Sequence, residues 1–243
     1  MNRSVLITGA ATGLGLSLAE HFIREGDCVY GVSRTKSHWK EARSRIPERD
    51  RFILYQADVS SEPKVKHLIS QVFKQAGRID VLINNAGYAN RFVRTEKENI
   101  REFEKHFSQN LLSVFLMCKY ALPIFQRQNF GWIMNIASMA GKRAVPGMGA
   151  YSASKSGVIA LGQCIAKENP DAGFKCVTVC PGGINTEMRV KIFGKEDANR
   201  QQHPDFVADK IMEILERKIE VPSGGDIIIR HSQVTAINAA PPA

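Results

Sequence analysis

A chain of 243 residues with 44% hydrophobic and 23% charged side chains has the balance of one globular domain with a sizeable core, which excludes a disordered protein. Its formal charge of +9 suits an anionic partner, whether nucleic acid, a membrane surface or a phosphorylated cofactor, and the sign alone does not choose among them. Five cysteines with no CxxC pair argue against a closed disulfide framework, and six scattered histidines give a metal site no support.

The first apolar run, residues 5–7, is too short for a signal peptide or a membrane span, so a cytoplasmic protein is expected. Further short apolar or β-branched runs follow at 28–32, 51–56, 81–83, 132–136, 175–180 and 226–230, separated by longer helix-like segments. That alternation predicts an α/β fold in which a mostly parallel, seven-stranded sheet is doubly wound with flanking helices. No linker divides the chain. A single domain over residues 1–235 is expected, with a frayed tail at 236–243 ending Ala-Pro-Pro-Ala.

Strand one runs into Thr8-Gly9-Ala10-Ala11-Thr12-Gly13-Leu14-Gly15, and Leu16, Ala19, Phe22 and Ile23 then recur at helical spacing up to Gly26. Glycines between a first strand and a first helix let backbone approach a pyrophosphate, and the helix N-terminus offers free N–H groups and a positive dipole. The spacing is GxxxGxG, not GxGxxG. Ser33, Arg34 and Thr35 follow strand two. In this architecture an NAD-binding chain carries an acidic residue there for the adenosine ribose, whereas a hydroxyl and a guanidinium suit a 2′-phosphate. Asp58-Val59 closes strand three and Asn84-Asn85-Ala86-Gly87 closes strand four, both at the carboxyl ends where open α/β sheets bind ligands. Tyr151 and Lys155 open a helical segment and share one face at i, i+4 spacing, which brings an ammonium near a phenol.

These motifs, in this order, resemble the single-domain branch of the short-chain dehydrogenase/reductase family over nearly the whole chain. The resemblance adds Asn110 on a helix and Ser138 to Tyr151 and Lys155 as a catalytic tetrad. It also adds Pro181-Gly182, Ile184 and Thr186 after strand six to a cofactor-binding set of Thr8, Gly9, Thr12, Gly13, Leu14, Gly15, Ser33, Arg34, Thr35, Asp58, Val59, Asn85, Ala86, Gly87, Tyr151 and Lys155. It implies NADP(H)-dependent hydride exchange with a small carbonyl or alcohol substrate. Tyr151 would be general acid, Ser138 would hold the substrate oxygen, Lys155 would bind ribose and depress the Tyr151 pKa, and Asn110 would hold a relay water.

Alternatives stay open at this level: an NADP-linked alcohol dehydrogenase or epimerase, or a non-catalytic NADP-sensing regulator. A nucleic-acid partner has only the net charge behind it, since no basic strand interleaved with aromatics accompanies it. Adjacency to the motifs nominates Tyr88, Met139, Ala140, Val145, Met148, Met188 and Phe193 as substrate-lining, and Arg91 and Arg143 as possible anion contacts. Residues 111–118 and 158–165 are more apolar than one buried stripe needs, and the resemblance places them in a homodimer or homotetramer interface.

Overall fold

The computed structural model describes residues 2–242; Met1 and Ala243, the outer ends of the expected domain and tail, lie outside the described residues. One sheet runs through the chain in the order β3-β2-β1-β4-β5-β6-β7-β8. Its strands are β1 (Ser4–Thr8), β2 (Cys28–Ser33), β3 (Phe52–Gln56), β4 (Val81–Asn84), β5 (Gly131–Ile136), β6 (Phe174–Pro181), β7 (Asp226–Arg230) and β8 (Gln233–Asn238). The first seven pair in parallel, at the positions the apolar runs mark.

Successive side chains of a strand point to opposite faces, and β1 sorts its residues accordingly: Val5 and Ile7 join one apolar layer and Leu6 the other. The first layer is closed by α1 (Gly13–Arg24), α2 (Trp39–Arg45) and α10 (Pro204–Leu215), through Phe22, Ala42 and Ile211 among others. The second is closed by α3 (Glu62–Ala76), α5 (Ser113–Gln128) and α7 (Gly149–Glu168), through Leu68, Met117 and Val158. Both faces of the parallel strands are thereby covered, which is why those strands read as apolar runs and not as alternating patterns. The remaining helices are α4 (Ile100–Phe107), α6 (Met139–Lys142), α8 (Glu187–Phe193) and α9 (Lys195–Asn199).

The eighth strand corrects the expectation of seven strands and of a frayed tail starting at 236. β8 pairs antiparallel with β7, so residues 236–238 are sheet. The connecting turn places His231 and Ser232 at φ 51° and 54°, the conformation of a two-residue hairpin turn that usually carries Asn-Gly. With His-Ser there, the sequence lacks the hairpin signal, and an edge strand needs only half of its side chains buried.

The winding direction reverses between β1 and β4, and the crevice beyond their carboxyl ends is where this topology receives a ligand.

Candidate active site

The glycine turn leaves β1 with Gly9 at φ +69° and Gly13 at φ +53°, values that side-chain-bearing residues rarely adopt. A Cβ at Gly9 would also meet the Asn85 side chain at 2.9 Å. The turn is fastened to the end of β4 by Thr8, whose hydroxyl accepts from Asn85 N–H at 3.0 Å and Ala86 N–H at 2.9 Å, while Asn85 Nδ2 donates to the Thr8 carbonyl at 2.9 Å. Thr8, Leu14, Gly15 and Val59 are buried, so of the expected cofactor residues these shape the crevice from behind. Thr12, Gly13 and Gly87 reach its surface.

At the outer end of β2 the Ser33 hydroxyl donates to Thr35 C=O at 2.8 Å and accepts from Trp39 Nε1. Arg34 is exposed and bonds Gln109 Oε1 through Nη1 at 3.2 Å. Gln109 in turn donates to Ser60 at 2.9 Å, and Ser60 donates to Asp58 through both its N–H and its hydroxyl. Burial works against the Asp58 charge, yet the Ser60 hydrogen bonds and the Arg34 charge hold this carboxyl below the usual range. Across the crevice, Pro181 ends β6, Gly182 N–H bonds Ile229 C=O at 2.7 Å and Ile184 bridges to Gln202. Thr186 caps α8, and its methyl lies 3.2 Å from where a Cβ of Gly13 would stand, so the segment after β6 closes against the glycine turn.

The four tetrad residues converge at the carboxyl ends of β4 and β5. Between α4 and α5 the helix widens into one π-helical turn, Ser108–Leu112, with Asn110 at its centre. Such turns concentrate at functional sites because they redirect one side chain. Asn110 Oδ1 accepts from Tyr88 N–H at 2.6 Å, and its amide donates to Tyr88 C=O at 2.9 Å and to Ser154 Oγ at 3.0 Å. Both of its donors are therefore held by protein, and they tie α7 to Tyr88, the residue after the Asn84–Gly87 turn. Ser138 follows β5 and caps α6, accepting from Ala140 N–H at 3.1 Å.

Lys155 is buried, and burial lowers its pKa from 10.5 to about 8. Its ammonium donates to Ile136 C=O at 2.8 Å and lies 6.0 Å from the centroid of the Tyr151 ring. Burial raises the Tyr151 pKa, against downward pulls from the Ser138 hydroxyl and from the charge of Arg189. The Lys155 ammonium is turned toward the β5 carbonyl, so its reach to the Tyr151 ring is 6.0 Å.

A buried ammonium with one protein acceptor among the described residues has donors left for a ligand. Gly87 is exposed beside it, and a Cβ there would crowd Asn110 Oδ1 at 3.3 Å and touch Lys155 Nζ at 3.5 Å, so the absence of a side chain keeps the ammonium approachable. A dinucleotide running from the glycine turn to this ammonium fits the cradle.

Residues 3–197 match the family model of the short chain dehydrogenases. The chain belongs to this family. It is an oxidoreductase. Over 198 residues it is 34% identical to 2-(R)-hydroxypropyl-CoM dehydrogenase of Xanthobacter autotrophicus, covering 77% of each chain. Among solved structures it superposes on ElxO with NADP bound at a TM-score of 0.86 and 28% identity, covering 94% of this chain and 97% of that one. It superposes on 3-ketoacyl-(acyl-carrier-protein) reductase from Brucella melitensis, complexed with NADH, at a TM-score of 0.86 and 25% identity, covering 93% and 96%.

Several residues of this short-chain dehydrogenase's site escaped the sequence reading. Glu102 accepts from Tyr88 Oη at 2.6 Å and Asn90 Nδ2 at 3.1 Å, and its carbonyl takes the Nδ1 proton of His106 at 2.8 Å. The His106 ring meets Tyr88 at 5.0 Å and Tyr151 at 6.4 Å. The spacing His106 to Asn110 is i, i+4 and could have drawn notice. Phe92, which meets Phe193 edge-on at 5.0 Å, had no signal, since a loop residue's partner is set by folding. Of the nominated substrate-lining residues, Phe193 and Tyr88 take part in these contacts, Ala140 and Met148 are buried, Met139 and Val145 are half-buried and Met188 is exposed, as are the nominated anion contacts Arg91 and Arg143. Among the described residues no helix is long and apolar enough to cross a membrane.

Proposed function

We propose that this oxidoreductase reduces a carbonyl group of a small organic substrate in the cytoplasm, using NADPH. The observation that carries the reading is that the Tyr151 hydroxyl lies beside Ser138 while the buried Lys155 ammonium stands next to side-chain-free Gly87, at the end of a crevice that begins at the glycine turn. NADPH, when bound, supplies hydride to the carbonyl carbon. Tyr151 gives its proton to the carbonyl oxygen, Ser138 holds that oxygen in line, and the spare N–H groups of Lys155 hold the ribose. A phenol whose pKa burial raises is protonated at neutral pH, the state an acid needs. NADPH depletion with a panel of ketones, keto acids, quinones and cyclic enones tests the reading; no turnover with any of them would refute it.

For NADPH over NADH the support is the cationic, acid-free end of β2. Arg34 is exposed, and Nη1 is its only nitrogen with a partner among the described residues. A 2′-phosphate there would meet a guanidinium able to bind it bidentately. Arg34→Ala is expected to weaken NADPH binding by about 10- to 100-fold, the scale of one charge-assisted contact, and NADH binding by less than about threefold. Fluorescence titration of both nucleotides reads this, and equal losses would count against the assignment.

We further propose a homodimer. Of the two expected interface segments, 158–165 turns Val158, Ile159 and Ile165 into the chain's own second apolar layer, whereas 111–118 leaves Leu112 and Phe115 exposed. Ile100 and Phe103 on α4 are exposed as well. A second copy is expected to cover this face by two-fold symmetry, which large apolar side chains on a monomer's surface would otherwise leave wet. Phe115→Glu should convert the dimer to monomer in sedimentation velocity; an unchanged oligomer would rule this face out.

A further inference from the structure

The cover between β6 and α10 carries a cation that the chemistry above does not use. Arg189 sits in α8, its N–H accepted by the Thr186 hydroxyl at 3.3 Å. Its Nε donates to Asp197 of α9 at 2.6 Å, and its guanidinium lies 3.5 Å from the centroid of the Phe193 ring. Phe193 packs edge-on against Phe92, and the adjacent Val93 N–H bonds Gly147 C=O at 2.8 Å, just ahead of the helix that bears Tyr151. The cover is anchored at its base, where Asn185 N–H bonds Gln202 C=O at 2.9 Å and the Gln202 side chain bonds Ile229 C=O at 3.0 Å. The guanidinium plane is thus fixed by an acid on one edge and an aromatic ring on its face.

Its terminal nitrogens, Nη1 and Nη2, have no hydrogen-bond partner among the described residues, and the side chain is 22% exposed. The guanidinium charge reaches the Tyr151 hydroxyl, lowering its pKa against the effect of burial. The Glu102 carboxylate is engaged by Tyr88 and Asn90 and matched by Lys105 at 3.5 Å.

We propose that Arg189 is a substrate-binding residue and that the substrate is a carbonyl compound bearing a carboxylate, a keto acid in its simplest form. This rests on the carbonyl-reductase reading of Tyr151 and Ser138. With the carbonyl oxygen held by those two hydroxyls, the carboxylate of the same molecule takes the free Nη pair in a bidentate, charge-assisted contact. Asp197 and Phe193 hold the guanidinium in place before the substrate arrives, so little side-chain freedom is lost on binding.

The test compares kcat/KM for linear 2-, 3- and 4-oxo acids with that for their methyl esters, using NADPH, in the wild type and in Arg189→Gln, Arg189→Lys and Asp197→Asn. The wild type should prefer at least one acid to its own ester by about tenfold or more. Arg189→Gln should lower kcat/KM for that acid by about 10- to 100-fold more than it lowers that for the ester, with partial recovery in Arg189→Lys. Asp197→Asn should keep or increase the acid preference, because it leaves the guanidinium charge uncompensated. An Arg189 that only braces the cover would lower both activities by the same factor, and that result overturns the proposal. Reduction of esters or neutral ketones with no acid preferred overturns it too, while leaving carbonyl reduction standing. No NADPH oxidation with any carbonyl would instead defeat the parent reading and this one with it.

Discussion

Tyr151→Phe is expected to lower kcat for carbonyl reduction by about 10²- to 10⁴-fold, the usual weight of a positioned general acid, with the NADPH dissociation constant changed by less than about twofold. The variant keeps the ring, and with it the edge contact to His106 at 6.4 Å, and removes only the hydroxyl beside Ser138. Because burial raises the Tyr151 pKa, the acid form persists across the neutral range, so the wild-type reduction rate should show no limb from the phenol there. Single-turnover measurements of NADPH oxidation read the loss directly. A variant with near-normal kcat would require another proton donor and would remove Tyr151 from that role.

Lys155→Met is the second large effect, and it separates activity from stability. The native ammonium loses its proton near pH 8 in place of 10.5, so wild-type affinity for NADPH should fall as pH rises through about 8, and Lys155→Met should lack that limb. With the ribose contact and the field beside Gly87 both gone, kcat/KM should drop by about 10²-fold or more. Stability should move the other way. A group whose folded pKa is depressed below an unfolded 10.5 binds fewer protons folded than unfolded between pH 8 and 10.5, so stability rises over that window. Below pH 8 the buried charge opposes folding by roughly 3 kcal/mol, offset in part by its bond to Ile136 C=O. Replacing it with an apolar chain of similar length should leave urea stability at pH 7 unchanged or higher, as expected where function holds a charge out of water. A destabilisation of several kcal/mol would mean that the ammonium braces the fold.

Much of the molecule could be read from the residues in order. Seven strands announce themselves because parallel strands covered on both faces must be continuously apolar, and the glycine turn does so because positive φ at Gly9 and Gly13 excludes most side chains. Tyr151 and Lys155 were legible because helical periodicity alone puts i and i+4 on one face. The eighth strand was not, because His231-Ser232 forms its turn without the usual residues and tertiary pairing with β7 supplies what local propensity lacks.

Three features were decided by the tertiary structure. Asn110 reads as a polar helix residue, and only the fold shows its amide bound to Tyr88 and Ser154, elements 22 and 44 residues away in the chain. Lys155 could be placed near the phenol from spacing, but whether its charge faces the hydroxyl depends on the β5 carbonyl that receives it. Arg189 lies outside every motif that the sequence marks. Its place follows from α8 landing on Phe92 through Phe193 and from Val93, the next residue, bonding Gly147, long-range contacts that no local pattern encodes, since electrostatic influence depends on distance through space and on burial, and neither is a property of sequence neighbours.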